Sequence, residues 1–411
     1  MKVLVIGNGA REHAITRKLA MEAVEITAAM SRLNPGIAAL SQNVKIMDID
    51  DPEKYNRFNN MDLAFVGPES PLAKGVADKL WKLGVPVRGP RKAEARLEWS
   101  KAYARTILME NGIEGNPEYK ICRDVEDIEE FLKEHHEVAV KPDVLTGGKG
   151  VKVTGDHLHG LDMVKEYAVE RIKADGLVVL EEKLIGREFT LQAFTDGHRV
   201  EVMPIVRDFK RAYDGDTGPN TGSMGSFSCP DHDMPDLSPR TVEKGEEIMR
   251  KTVEALTEKV GEYQGILYGG FMDTKKGVYL IEYNCRFGDP EAINVLSILE
   301  TPLTEMGIGM TMAGMPKPSF ENKATVCVYL VPEGYPENPV KDQPLEVGKM
   351  CSEIYYASVY DDKGVVKTTG SRSIALLAKG STVKKARDKV YMDVGKVKGR
   401  LHYRTDIAKD V

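Results

Sequence analysis

The sequence predicts an α/β protein of several lobes, with a doubly wound parallel sheet near its N-terminus and a small β-rich lobe at its C-terminus. The chain has 411 residues, more than one hydrophobic core usually serves. Roughly the first hundred residues alternate short β-branched runs with helical patterns, which is typical of a parallel sheet covered by helices. A β-rich run at residues 324–331 opens the last part of the chain and indicates a separate terminal lobe.

Residues 1–99 are predicted to form the parallel-sheet domain. Apolar runs predict strands at residues 3–6, 24–28, 63–66 and 85–88, and helical periodicity predicts helices at 11–22 and 72–83. A further helix over residues 94–110 ends at an Asn-Gly pair, a common helix stop, and leads into the next domain.

Residues 100–320 are predicted to form an α+β domain that includes a smaller lobe over about residues 120–184. This lobe is expected to hold helices at 125–133 and 161–173 and strands at 138–141 and 177–182. The rest is expected to be antiparallel, with strands at 189–194 and 200–206, a helix at 241–259, and a hairpin of 265–272 with 277–284. Residues 207–239 show little periodicity and are predicted to be a long loop, which in compact proteins is usually functional or disordered. A third domain is predicted over residues 321–411.

The composition restricts the class of protein. Hydrophobic residues make up 42% and charged residues 29%, so the chain can bury a core, and its formal net charge of −6 argues against a general nucleic-acid binder. Five scattered cysteines without a CxxC pair fit a reducing compartment and provide no zinc site. The first apolar run is too short for a signal peptide, and no stretch approaches the ~18 apolar residues of a membrane span. We therefore expect a cytoplasmic protein that binds neither nucleic acid nor membrane.

Two glycine-rich turns are candidates for phosphate binding. Residues 7–13 (GNGAREH) follow a strand and open a helix, where free N–H groups and the positive helix end favour an anion. Glu12 stands where a dinucleotide fingerprint needs glycine, and the next strand ends without an acid for the ribose, so this turn argues against NAD. Residues 146–151 (TGGKGV) follow Lys141 and do not form a P-loop pattern. Plain structural turns are the alternative in both cases.

Two further segments look suited to an anionic or nucleotide ligand. Residues 207–225 include RDFKR and DGDTGPNTGSMG, which combine three cations with several acids and glycines. A mobile surface loop is the alternative. Residues 181–188 (EEKLIGRE) form an extended segment that can offer backbone groups to an adenine edge and a carboxylate to ribose hydroxyls, or serve only as a linker.

The most informative segment is residues 282–291 (EYNCRFGDPE). The strand period of two places Glu282, Asn284 and Arg286 on one face. A carboxylate and an amide oxygen are hard ligands suited to Mg²⁺, and an arginine beside them can stabilise an anionic intermediate. Asp289 followed by a proline predicts a helix N-cap. The alternative is an edge strand with a solvated polar face.

Together these segments resemble the phosphoribosylamine–glycine ligase family (glycinamide ribonucleotide synthetases), whose members are ATP-grasp enzymes. The resemblance rests on residues 7–14 (GNGAREHA), 67–72 (GPESPL), 100–101, 147–151, 214–225 and 282–291, and it extends over essentially the whole chain. It implies a two-lobed ATP-grasp core between the other two domains, in which the lobe over about residues 120–184 is a flexible lid. It also implies ATP and Mg²⁺ or Mn²⁺ as cofactors. The implied reaction of purine synthesis joins glycine to 5-phosphoribosylamine through a glycyl phosphate, in a monomer or weak homo-oligomer.

The resemblance also implies roles for individual residues. Those implied for ATP are Lys101, Lys141, Gly147, Gly148, Lys149, Gly150, Glu181, Leu184 and Glu188, with Glu181 and Leu184 at the adenine edge and Glu188 on the ribose. Glu282 and Asn284 are implied to hold the metal, and Arg286 and Lys141 to be catalytic. The residues implied for the substrates are Gly9, Arg11, Glu12, His13, Gly67, Pro68, Glu69, Asp208, Lys210, Asp216, Pro219, Asn220, Thr221, Gly222, Arg286 and Asp289.

Three other functions stay open at this point. Another ATP-grasp carboxylate–amine ligase would share the ATP residues but would not need Asp216 or Asn220 for glycine-dependent turnover. A nucleotide-dependent dehydrogenase is opposed by Glu12 and by the missing ribose acid. A non-catalytic nucleotide-binding regulator would keep the glycine turns without needing Glu282, Asn284 and Arg286 together.

Overall fold

In the computed structural model, which describes residues 1–145, 150–311, 314–409 and 411, the chain begins with a five-stranded parallel sheet. Its strands are β1 (Lys2–Ile6), β2 (Glu25–Met30), β3 (Asn43–Ile46), β4 (Leu63–Val66) and β5 (Val87–Arg88), in the order β3-β2-β1-β4-β5. The helices around it are α1 (Ala10–Leu19), α2 (Pro35–Leu40), α3 (Glu69–Lys74), α4 (Val76–Lys82), α5 (Lys92–Trp99) and a 3-10 helix at Pro52–Phe58. The direction of winding changes between β1 and β4, so the loops that follow these strands border a crevice at the carboxyl edge.

The doubly wound sheet confirms the predicted fold class, and its details correct several predicted elements. Strand β3 and helix α2 were not predicted, because β3 is mostly exposed and carries no apolar run. The helix predicted over residues 72–83 is divided into α3 and α4 by Gly75, whose φ of +84° lies in the left-handed region. The helix predicted over residues 94–110 is likewise interrupted at Ser100, whose hydroxyl caps the next helix by accepting the Tyr103 N–H.

The lid lobe is a small four-stranded sheet with two helices and a core of its own. After α6 (Lys101–Glu110), its elements are β6 (Tyr119–Cys122), α7 (Val125–Glu134), β7 (Val138–Pro142), β8 (Lys152–Val153), α8 (Leu161–Asp175) and β9 (Val178–Glu182). The strand order is β6-β9-β7-β8, with antiparallel pairing throughout. Residues 146–149, most of the predicted glycine-rich turn, lie outside the described residues.

The second lobe, which follows the lid lobe in the chain, is an antiparallel sheet in the order β11-β10-β16-β17, packed on a long helix. In chain order the elements are β10 (Gly186–Asp196), β11 (Val200–Val202), β12 (Arg207–Asp208), β13 (Arg211–Tyr213), β14 (Thr217–Asn220), β15 (Gly225–Ser228), α9 (Pro239–Lys259), β16 (Gln264–Thr274), β17 (Gly277–Asn284), α10 (Glu291–Ile298) and α11 (Leu303–Thr311). The predicted hairpin of residues 265–272 and 277–284 is confirmed by β16 and β17.

The prediction of one long irregular loop over residues 207–239 is wrong. Strands β13 and β14 form a small hairpin, and β12 pairs with β15. These strands are only two to four residues long, and those of the hairpin are mostly polar, so neither length nor periodicity marked them. We refer to residues 211–220 as the 211–220 hairpin.

The C-terminal part of the chain is a β-rich layer that shares its main sheet with the second lobe. Its elements are β18 (Ala324–Pro332), β19 (Glu346–Val347), β20 (Glu353–Tyr356), β21 (Val359–Asp362), β22 (Val365–Thr368), β23 (Ile374–Gly380), α12 (Val383–Val394), β24 (Val397–Lys398) and β25 (Leu401–His402). The sheet runs β12-β15-β18-β23-β20, and β25 pairs with the end of β18. The C-terminal layer therefore continues directly into the polar segment around residues 207–228. Among the residues that the structure describes, no helix combines the length and apolar character needed to cross a membrane.

Candidate active site

The crevice beside β1 and β4 is filled by the side chain of Glu12. Its Oε2 accepts the Gly9 N–H at 2.5 Å, and its Oε1 lies 2.6 Å from Arg11 Nε. A Cβ on Gly67 would lie 2.0 Å from Glu12 Oε1, so only glycine leaves room there for the carboxylate. The start of α1, where the sequence predicted a phosphate, is thus occupied by an internal carboxylate.

His13 joins the N-terminal sheet to the C-terminal layer. It is buried, its Nδ1 accepts the Tyr356 N–H at 2.9 Å, and its ring stacks on the Tyr356 ring. A Cβ on Gly36 would lie 2.1 Å from His13 Cε1, so the imidazole is enclosed on that side. Burial lowers the pKa of His13 to about 3, which keeps the ring neutral. These contacts give His13 a structural role that the sequence did not indicate, and a contact with substrate stays a prediction.

Arg286 follows β17 and lies between two carboxylates. Its Nη2 is 3.2 Å from Glu98 Oε1, and its Nε is 3.3 Å from Glu69 Oε2. Glu98 also accepts the Cys285 N–H through Oε2 at 2.6 Å, and burial raises the pKa of this carboxyl. The guanidinium is therefore fixed at the junction between the N-terminal crevice and the end of β17. Glu98 was missed in the sequence analysis.

Glu282 and Asn284 lie on the same face of β17, as the sequence predicted for these two positions. Glu282 Oε2 is 3.1 Å from Lys101 Nζ, and Lys101 lowers the pKa of Glu282 to about 2, so the carboxylate is ionised at neutral pH. An ionised carboxylate beside an amide oxygen is a donor set that fits a hard divalent cation. In the described ranges no group of three acidic, histidine or cysteine side chains could hold a metal alone. A cation held by this pair would therefore need oxygens from water or a bound phosphate.

Lys141 belongs to a buried cluster with Glu181 and Arg105. Lys141 Nζ is 2.7 Å from Glu181 Oε2, and Arg105 donates to both oxygens of Glu181 at 2.7 and 2.8 Å. The Ile281 carbonyl accepts from both cations at 2.8 Å, because a bulge in β17 removes it from the regular ladder. The side chain of Glu181 is engaged by these two cations and its strand is paired on both sides, so a contact between Glu181 and an adenine ring stays a prediction. Arg105 was also missed in the sequence analysis.

Replacing Glu181 should reveal this structural role. We expect Glu181→Gln to lower the free energy of unfolding by about 3–5 kcal/mol, because two buried cations lose their counter-charge. Urea unfolding would measure the change. Glu182→Gln is the matched control, since Glu182 is a half-buried neighbour whose described partners are the Glu118 N–H at 3.1 Å and Lys276 at 3.8 Å. Equal stability of the two variants would contradict the structural role.

A cavity of about 430 Å³ lies beside β10 and the 211–220 hairpin. The predicted site residues that line it are Glu188, Asp208, Lys210, Asp216 and Asn220. Lys210 Nζ is 3.0 Å from Glu188 Oε2, and Asp208 raises the pKa of Lys210, so the lysine remains charged. The residues implied for the substrates therefore fall into two groups, one at this cavity and one in the N-terminal crevice.

The remaining predicted residues lie around these two places. Gly9, Gly67, Pro68 and Arg11 border the crevice, and Arg11 Nη1 donates to the Phe287 carbonyl at 3.1 Å. Thr221 donates its N–H and hydroxyl to the Lys210 carbonyl. Pro219 lies in β14, Leu184 connects β9 to β10, and the Gly150 carbonyl accepts the Tyr167 hydroxyl at 2.7 Å. Gly147, Gly148 and Lys149 lie outside the described residues.

The prediction that Asp289 caps a helix is wrong. Helix α10 begins at Glu291 without a side-chain cap, because the Asp289 carboxylate is drawn to Arg372 and Tyr329 instead. Arg372 Nη2 lies 3.2 Å from Asp289 Oδ2, and the same guanidinium donates to the carbonyls of Gly222 and Ser223. Arg372, which the sequence analysis missed, thus ties the end of the polar segment to the loop before α10.

Comparisons with known proteins agree with this architecture. Three family models match in succession: the phosphoribosylglycinamide synthetase N domain over residues 1–98, its ATP-grasp (A) domain over 99–292, and its C domain over 325–410. The phosphoribosylamine–glycine ligase of Methanosarcina barkeri is 46% identical, over 99% of this chain and 96% of the relative. That of Pyrococcus abyssi is 42% identical, over 99% of this chain and 94% of the relative.

Solved structures show the same similarity. The phosphoribosylamine–glycine ligase of Thermotoga maritima superposes with a TM-score of 0.86 at 30% identity, covering 99% of this chain and all of that one (100%). A biotin carboxylase from Campylobacter jejuni superposes with a TM-score of 0.75 at 15% identity, over 99% of this chain and 94% of that one, which shows the fold alone. Fold and site thus define an ATP-grasp ligase, a class that uses ATP with a divalent metal ion. Within that class, the chain belongs to the phosphoribosylglycinamide synthetase family.

Proposed function

We propose that this enzyme joins glycine to 5-phosphoribosylamine with the cleavage of ATP, giving glycinamide ribonucleotide, ADP and phosphate in purine biosynthesis. Family membership over nearly the whole chain supports the reaction. The structural observation that best supports this reaction is the position of Arg286. This residue adjoins both the Glu282–Asn284 pair and the N-terminal crevice. An acyl-transfer centre needs these two environments side by side, one for the nucleotide and one for the second substrate.

The nucleotide is proposed to lie between the lid lobe and β17. Lys141 has three N–H donors, of which Glu181 and the Ile281 carbonyl engage two, so one remains for a phosphate oxygen. Lys101 supplies a second positive charge beside Glu282. Glu181 and Leu184 are proposed at the adenine edge, Glu188 at the ribose, and Gly147–Gly150 over the phosphates.

Glu282 and Asn284 are proposed to hold Mg²⁺ or Mn²⁺. When bound, the ion would neutralise phosphate charge and so favour attack by an anion. The acidic pKa of Glu282 keeps this ligand ionised over the neutral range. The low pKa also means that protons compete little for the site.

The reaction is proposed to proceed in two steps. A glycine carboxylate oxygen attacks the γ-phosphorus, the bond to ADP breaks, and glycyl phosphate forms. The amine of phosphoribosylamine then attacks the acyl carbon, the carbon–oxygen bond to phosphate breaks, and the nitrogen loses a proton. Arg286 is proposed to stabilise the negative charge that develops on the acyl oxygens. Held by Glu69 and Glu98, it needs little reorganisation at that moment.

The second substrate is proposed to use residues from both groups described above. Lys210, Asn220 and the backbone of residues 219–222 would face it from the cavity, and residues of the crevice from the other side. Three domains, residues 1–99, 100–320 and 321–411, are proposed to enclose the resulting site.

The proposal is tested by phosphate release from ATP and Mg²⁺ with glycine and with phosphoribosylamine generated in situ, each omitted in turn. We expect sustained release only when both substrates are present, together with glycinamide ribonucleotide identified by mass. Release that continues without either substrate would refute the proposed reaction, as would another amine in place of phosphoribosylamine giving faster turnover. Replacing Mg²⁺ by Mn²⁺ in the same assay would identify the preferred metal.

A further inference from the structure

The segment after β25 is bound to the 211–220 hairpin through a buried guanidinium. The side chain of Arg404 is only 1% exposed, and its Nε and Nη2 donate to the two oxygens of Asp406 at 2.7 Å each. Its Nη1 donates to Asp216 Oδ1 at 2.6 Å and to the Arg211 carbonyl at 3.1 Å. The guanidinium also lies 5.1 Å from the centre of the Phe209 ring. One side chain from the C-terminal layer thus contacts the start of the hairpin, its turn and the ring of Phe209, two residues before it.

Further hydrogen bonds connect the same two segments. Asp214 accepts the N–H of Thr405 at 2.8 Å and also its hydroxyl, and the Gly215 N–H donates to Asp406 Oδ2 at 2.8 Å. The ring Nε2 of His402 lies 3.1 Å from the Ala212 carbonyl. Both carboxylates at the turn, Asp214 and Asp216, therefore face the C-terminal segment.

The hairpin has little stability of its own. A two-stranded ribbon of this size is marginal in water without packing from other elements. In β13 only the central residue, Ala212, is buried, and β14 contains no buried residue. Asp216 also adopts a positive φ of 53°, which a non-glycine residue holds only when its surroundings fix it. The position of Lys210 and Asn220 at the cavity consequently depends on the contacts with residues 402–406.

We infer that Arg404 is a positioning residue for the amine substrate, and that Asp216 acts by binding Arg404 rather than by contacting that substrate. This inference rests on the proposed function, because it concerns the affinity for phosphoribosylamine. Arg404 orders the hairpin, and the hairpin places Lys210 and Asn220 where an anionic sugar phosphate can be bound. Arg404 itself needs no contact with any reactant.

The first test compares Michaelis constants in the full chain. We expect Arg404→Gln to raise the KM for phosphoribosylamine about tenfold or more, since a charge-assisted contact of this kind is lost, while the KM for ATP stays within about twofold. Arg404→Lys should recover part of the affinity, because an ammonium restores charge but not the two-pronged contact with Asp406. Arg400→Gln is the matched control, because Arg400 lies four residues before Arg404 and forms an exposed ion pair with Glu333. It should leave all constants unchanged.

The second test is a double-mutant cycle. Asp216→Asn removes the same contact from the hairpin side, where the carboxylate is 67% exposed, so it also serves if the Arg404→Gln variant does not fold. We expect Asp216→Asn alone to raise the KM for phosphoribosylamine, and the double variant to be no worse than Arg404→Gln. Additive effects would place Asp216 on the substrate and overturn the inference.

Other results would overturn it as well. An unchanged KM for phosphoribosylamine in Asp216→Asn or in a folded Arg404→Gln variant would show that the contact does not position the hairpin. An equal rise in the KM for ATP would show general loosening of the site. Failure of the proposed function itself would be visible separately, because the unmodified enzyme would then form no glycinamide ribonucleotide.

Discussion

Glu282→Ala is expected to reduce turnover below detection while the protein remains folded. The variant loses the ionised carboxylate of the proposed metal site, so the ion that would neutralise the phosphates of ATP would no longer be held. Lys101, whose Nζ lies 3.1 Å from the carboxylate, cannot replace Glu282 as a ligand, because it is itself a cation. Steady-state phosphate release over a range of Mg²⁺ concentrations would measure the loss.

A companion variant tests whether metal binding needs the charge of the Glu282 carboxylate, and a second variant serves as a control. Glu282→Gln keeps an oxygen ligand but removes the charge, and should recover measurable activity only at raised metal concentration. Glu321→Ala is the matched control, because Glu321 is also a partly exposed glutamate paired with a lysine, at 2.9 Å from Lys379, and lies outside the site. It should behave like the unmodified enzyme. Near-normal turnover of Glu282→Ala would remove Glu282 from the metal site.

The fold could be predicted from the sequence wherever burial imposes a pattern. β1 and β4 are fully or largely buried apolar runs between parallel neighbours, and their predicted positions are confirmed. β3 and the 211–220 hairpin were missed because their residues are mostly exposed and polar, so hydrophobic periodicity carries no information about them. β3 is ordered by pairing with β2, and the hairpin by hydrogen bonds to residues 404–406.

In the candidate site, too, features that form a local sequence pattern could be predicted, and contacts between distant residues could not. The shared face of Glu282 and Asn284 could be predicted, because alternate residues of a strand point to the same side. Their role as metal ligands stays a prediction. The partner of Asp289 could not be predicted, because its carboxylate pairs with Arg372, which lies 83 residues further along the chain. The sequence around Asp289 does not show whether its carboxylate caps a helix or pairs with a distant arginine.

Some missed residues did leave a signal. Arg105 stands on the buried face of α6, three residues after Ala102 and three before Leu108, where an apolar side chain would be expected. Glu98 is likewise buried next to Leu97 in α5. A charge on an apolar face predicts a buried partner of opposite sign, although it does not identify that partner. In this chain the partners are Glu181 and Arg286.

Arg286→Lys is expected to lower kcat by about 10²–10³-fold, the usual cost of removing a preorganised donor to a developing anion. The guanidinium contacts Glu69, Glu98 and the Phe287 carbonyl at once, and a planar fork can do this while still presenting a further N–H to a reactant. An ammonium group has three donors on a flexible stem and cannot span both carboxylates in the same way.

The pattern of kinetic constants decides whether Arg286 touches the reacting atoms or only holds the two carboxylates. A contact made in the transition state should lower kcat and leave the KM values for ATP and glycine nearly unchanged. A purely structural role should lower stability in urea and raise several KM values together. Arg171→Lys is the matched control, because Arg171 also lies between two carboxylates, at 2.8 Å from Glu170 and 3.5 Å from Asp175, on a helix of the lid lobe. A mild effect of Arg286→Lys on kcat, comparable with that control, would show that Arg286 is structural, and the stabilisation of the acyl phosphate would then have to come from Lys101 and Lys141.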